Sequence, residues 1–146
     1  MVAMFPKWIR SILAILAGLI AITITSFAIE AAVTPLLLRA FPAALPNEAA
    51  ISHSVPALLF TFAYSSLCVV AGGYITARLA SHHPVRHAVI LGLLQSALTI
   101  PAMLAFPGKA PLWGWILSMI IVIPAAWLGG CLYSRTHAHS LLSASA

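Results

Sequence analysis

Apolar residues run almost unbroken through four stretches of this chain, and polar residues gather in the intervals between them. The stretches cover about residues 11–33, 55–77, 87–106 and 112–133. A helix needs about 20 apolar residues to cross a hydrocarbon core about 30 Å thick, and each stretch meets that length. The expected fold class is therefore all-α: a polytopic membrane protein with four transmembrane helices in a compact antiparallel bundle, one domain spanning residues 1–146. Pro56 and Pro111 stand where a first helical turn accepts proline without losing a needed donor. Pro101 and Pro124 fall inside the third and fourth stretches, where a missing N–H predicts kinks. The longest connection, residues 34–54, holds "PLLLRAFP", expected along the membrane interface, and then "ALPNEAAISHS", expected as a turn leading into the second span.

Composition supports the membrane reading. Of 146 residues, 62% are hydrophobic and 6% charged, with a mean hydropathy of +1.08. A soluble domain is about a quarter charged because its surface must face water, so lipid is the expected solvent for most of this surface. The net charge of +5 comes from seven Lys and Arg scattered singly at segment ends. A nucleic-acid binder would concentrate them in one patch.

Their distribution orients the chain instead. Placing the N-terminus inside puts Lys7, Arg10, Arg78, Arg86 and Arg135 on the cytoplasmic side and only Arg39 and Lys109 outside, as positive-inside asymmetry requires. Arg10, Arg78, Arg86 and Arg135 are the expected cytoplasmic anchors, and both termini are expected in the cytoplasm. Trp8 at one boundary and Trp113 and Trp115 at the other fit aromatic anchoring. A rival reading treats the N-terminus as a signal peptide, with Ser26 and Ala28 spaced as a cleavage site. The apolar run continues to Val33, which favours an uncleaved anchor. Cys68 and Cys131 lie at depths differing by roughly 9 Å, awkward for a disulfide, so both read as small packing residues.

Two segments end alike. "GGYITAR" begins at Gly72 and "GGCLYSR" at Gly129. Gly72 and Thr76, Gly73 and Ala77, Ala126 and Gly130, and Gly130 and Ser134 each put two small residues on one helix face. Close backbone approach at such residues drives much of helix packing in lipid. Gly72, Gly73, Ala77, Ala126, Gly129 and Gly130 are accordingly the expected packing positions, and the arginine that follows marks the interface. Duplication of a helix pair is an alternative origin, weakly echoed by "GLIAITI" and "GLLQSALTI".

The hairpin "GGYITARLASHHPVRHAVILG", Gly72 to Gly92, resembles an element of small bacterial inner-membrane proteins with about four helices. Gly73, Tyr74, Ala77, Arg78, Pro84, His87, Ala88 and Gly92 carry the likeness, over about a seventh of the chain. The resemblance implies placement and fold, and no activity.

Residues able to carry chemistry are few. The only carboxylates are Glu30 and Glu48, both expected toward the outer side. Acids in membrane segments often mark proton or ion paths, but Glu30 lies at interface depth and is expected as a solvated end residue pairing Arg39 or His53. His82, His83, His87, His137 and His139 gather at the cytoplasmic side. Imidazoles bind zinc or copper, yet Pro84 interrupts the group and no acid or cysteine joins it, so a polar collar is expected and no metal or other cofactor. Gln95, with Ser65, Ser66 and Thr99, could form an interhelical hydrogen bond or a polar seam. No nucleophilic triad or phosphate loop is spelled.

The expected function is non-catalytic: a structural or accessory protein of a bacterial inner membrane, packing on itself or a partner. Membrane lipid, a homo-oligomer or a larger membrane complex are the expected partners, and nucleic acid is not. The alternative is a small oligomeric transporter using Glu30 or the Gln95, Ser65 and Ser66 seam. A membrane enzyme ranks third.

Overall fold

A computed structural model describes residues 6–80 and 82–144. The helices are α1 (Lys7–Ala40), α2 (Glu48–His53), α3 (Val55–Leu79), α4 (Pro84–Ala105) and α5 (Leu112–Ala144). All but α2 are long and apolar enough to cross a membrane. The chain is an all-helical protein with four candidate membrane spans packed against one another.

The helices outrun the apolar stretches. α1 continues from Val33 through Pro35 to Ala40, so "PLLLRAFP" mostly extends this helix instead of lying along an interface. Pro35 removes one backbone donor, but the following Leu36, Leu37, Leu38 and Arg39 are strong helix formers. Leu37 and Leu38 are also half-buried. At about 1.5 Å per residue α1 is about 51 Å long, well beyond a hydrocarbon core. Where a turn was expected before α3, Asn47 caps the short α2, its Oδ1 accepting the Ala50 N–H at 3.0 Å. α4 and α5 run continuously through Pro101 and Pro124.

α3 is the hub, packing on α1, α4 and α5, while α4 also packs on α1 and α5. The buried cluster is Ile22, Val69, Leu91, Ala125 and Ala126, with two of its five side chains no larger than a methyl group. Large side chains point outward instead: Phe27 is 69%, Leu67 70% and Leu104 72% exposed. This inversion suits lipid, where leaving apolar surroundings brings a side chain little and close backbone contact brings more. Both cysteines are free thiols.

Chain direction sorts the ends. The start of α1, the α3–α4 hairpin and the end of α5 share one end, called here the terminal end. The α1–α3 connection and the α4–α5 turn share the far end. At the hairpin, His83 adopts φ +48°, a left-handed conformation for which histidine is among the more tolerant residues. Trp8 lies at the terminal end, and Trp113 and Trp115 at the far end.

Candidate functional site

α3 and α5 run parallel, so the repeated motifs, 57 residues apart, lie side by side at one level. A Cβ placed on Gly73 would lie 2.5 Å from the Ala126 carbonyl oxygen and 3.1 Å from its Cα. One on Gly129 would collide with the Val70 carbonyl oxygen and lie 2.8 Å from the Tyr74 nitrogen. Both are backbone contacts, which no rotamer change can relieve.

The other glycine of each pair turns elsewhere, because successive residues on a helix are rotated by about 100°. Gly72 faces α1, where a Cβ would strike Ile22 and lie 3.1 Å from the Gly18 carbonyl oxygen. Gly130 faces α4, with Ala88 Cβ at 2.8 Å and Val85 Cα at 3.2 Å from its virtual Cβ. Each glycine doublet thus opens two helix faces at once. Ala77 and Ala126 are fully buried. Gly18 and Gly92 belong to the same system although they are not among the expected packing positions: Gly18 sits under Thr76 and Gly72, Gly92 against Ala126 and Ile123. The echo of "GLIAITI" and "GLLQSALTI" was the available signal.

The buried polar positions divide differently from the expected seam. Ser65 and Ser66 face Ser118 of α5 around a void of about 40 Å³, and the Ser66 hydroxyl donates to the Phe62 carbonyl at 2.7 Å. Gln95 is half-buried, and its backbone carbonyl accepts the Thr99 hydroxyl at 3.0 Å within α4. A hydrogen bond between helices comes from its neighbour, Ser96 Oγ donating to the Met119 carbonyl at 3.0 Å. Thr76 is fully buried, and its hydroxyl has no hydrogen-bond partner among the described residues.

At the far end, Glu30 and Glu48 come together. They share a hollow of about 290 Å³ with Thr34, Ser52 and Lys109. Lys109 comes from the α4–α5 turn, distant in sequence, whereas Arg39 and His53, the expected partners of Glu30, do not line it. His53 Nδ1 is instead within 2.9 Å of the Ala49 carbonyl oxygen on its own helix. A second hollow of about 310 Å³ shares Glu30, Thr34, Glu48 and Lys109 and continues toward Phe27 and Ala31. Lys109 Nζ rests over the Phe106 ring, 5.8 Å from its centroid. Among the described residues no ion pair ties it to either glutamate.

The terminal end holds Arg10, Arg78, Arg86 and Arg135 and the imidazoles other than His53. Arg78, Arg86 and Arg135 are exposed and Arg10 is half-buried. Tyr133 meets Tyr74 edge-on at 5.6 Å and stacks on His137 at 5.7 Å, joining α3 to α5. His82 and His83 are exposed, and the side chain of His139 lies outside the described positions. Among the described residues no group of three or more His, Cys, Asp or Glu is placed to hold a metal ion. No known protein family, curated protein or solved structure matches the chain.

Proposed function

We propose that this is a non-catalytic, multi-pass protein of a bacterial cytoplasmic membrane with a structural or accessory role, both termini in the cytoplasm. One observation carries the reading. Toward the terminal end of the bundle, α3 and α5 are closed against each other by backbone contact at Gly73, Ala126 and Gly129, which favours a rigid packed unit over a moving pathway. The separation of both acids from every imidazole except His53, which shares α2 with Glu48 but does not line their hollow, agrees with it. Glu30 and Glu48 sit at the far end, and His82, His83, His87 and His137 a bundle length away, about 33 Å along α4 alone. Acid–base chemistry needs such groups within hydrogen-bond reach of one substrate.

The test is affinity purification of the full chain from its native membrane in mild detergent, followed by native mass spectrometry. A stoichiometric membrane partner, or a homo-oligomer, supports the accessory role. A single copy that catalyses uptake in proteoliposomes overturns it. The second reading, a small oligomeric transporter, draws on the hollow that Glu30 lines. It requires Glu30→Gln to abolish uptake, because an amide cannot exchange the proton.

A further inference from the structure

We propose that the far-end hollow binds the headgroup of an aminophospholipid, a primary ammonium joined to a phosphate, with the lipid tail leaving over Phe27. Three elements supply its walls: Glu30 and Thr34 from α1, Glu48 and Ser52 from α2, and Lys109 from the α4–α5 turn. The charges are two negative and one positive, and they are not spent on each other, since the Lys109 ammonium lies over the Phe106 ring. A simple anion would meet two carboxylates, and a simple cation would meet the lysine. A zwitterion whose two charges sit a few bonds apart satisfies both walls, its ammonium donating to carboxylates and its phosphate accepting from lysine. Such charge-assisted hydrogen bonds are about twice as strong as neutral ones. The volume of about 290 Å³ admits a headgroup of this size with water to spare.

Shape selects a lipid over a free solute. The hollow does not end at the charges but continues along α1, with Ala31 and Phe27 as its wall. Phe27 is one turn further into the span and 69% exposed, so it faces acyl chains in a membrane. A polar recess that opens onto a lipid-facing aromatic side chain gives the diacylglycerol part a path back into the bilayer. The interface also presents headgroups at high local concentration, which lowers the intrinsic affinity the site needs.

The experiment is native mass spectrometry of the full chain in detergent, titrated with phosphatidylethanolamine, phosphatidylcholine and phosphatidylglycerol. Phosphatidylcholine keeps both charges but cannot donate N–H, and phosphatidylglycerol lacks the ammonium. Phosphatidylethanolamine should be retained about tenfold better than either, the equivalent of about 1.4 kcal/mol. Glu30→Gln/Glu48→Gln and Lys109→Gln should each erase that preference, while Arg39→Gln, outside the hollow, should keep it. Because Glu30 lies on a spanning helix, Glu48→Gln alone on exposed α2 provides a reading free of insertion defects, and it too should weaken the preference. Equal retention of the three lipids, or an unchanged preference in the glutamate variants, overturns the site. Free phosphoethanolamine competing at the same concentration as the lipid overturns its assignment to a lipid.

Discussion

Replacing Gly73 with leucine tests the packing argument where α3 meets the backbone of α5. Even the first added atom, Cβ, would stand 2.5 Å from the Ala126 carbonyl oxygen, where ordinary contact begins at 3.4 Å. The difference, 3.4 − 2.5 = 0.9 Å, is the separation of α3 from α5 that would restore ordinary contact there. At Gly130 the corresponding figure against Ala88 Cβ is 3.4 − 2.8 = 0.6 Å. Neither neighbour can swing aside, since one is backbone and the other a methyl fixed to it. Shifts of this size forfeit dispersion contacts along the whole crossing, and overpacking typically costs about 1–3 kcal/mol. Gly73→Leu and Gly130→Leu should therefore insert normally, the segments staying apolar, but lose thermal stability in detergent. Gly73→Leu should lose more. Ile120→Leu, at a position 62% exposed, should be silent. Gly114→Ala should nearly be so, because its nearest obstacle is the flexible tip of Leu58 at 3.1 Å. Wild-type melting of both leucine variants would mean that these glycines are not where the helices meet.

Three further outcomes follow from single observations. The Thr76 hydroxyl is buried without a partner among the described residues, so Thr76→Val should leave stability unchanged or raise it by up to about 1 kcal/mol, given the desolvation cost of an unmade bond; a loss of that size in the same melt would reveal a partner. Ser96→Ala removes a hydrogen bond between α4 and α5, and should cost about 0.6–1 kcal/mol, read by detergent unfolding; no loss would make the Ser96–Met119 contact incidental. For topology, alkaline phosphatase fused after Arg135 should be inactive and fused near Asn47 active, and the reverse pattern would refute cytoplasmic termini.

How legible all this was depends on how local the cause is. Whether a segment prefers lipid to water is decided by its own side chains, so the four spans and the all-helical class could be read directly. Helix ends were less legible. The stretch 35–40 reads as interfacial by its proline and arginine, yet backbone propensity and half-burial of Leu37 and Leu38 carry α1 through it. The glycine doublets could be read as close-packing positions, because small residues four apart share a helix face wherever that face points.

Which helix each face meets is a different kind of fact. Gly72 against α1, Gly73 against α5 and Gly130 against α4 follow from the parallel alignment of α3 with α5, a relation between segments 57 residues apart. The hollow shared by Glu30, Glu48 and Lys109 has the same origin. Sequence proximity pointed Glu30 toward Arg39 or His53, whereas the α4–α5 turn delivers Lys109 from the opposite part of the chain. Hydropathy determined by itself that this chain is made of membrane-length helices, since transfer between water and lipid is a property of each residue. The partners of those helices were decided only in three dimensions, where backbone contact and opposed charges act over distances that sequence order does not record.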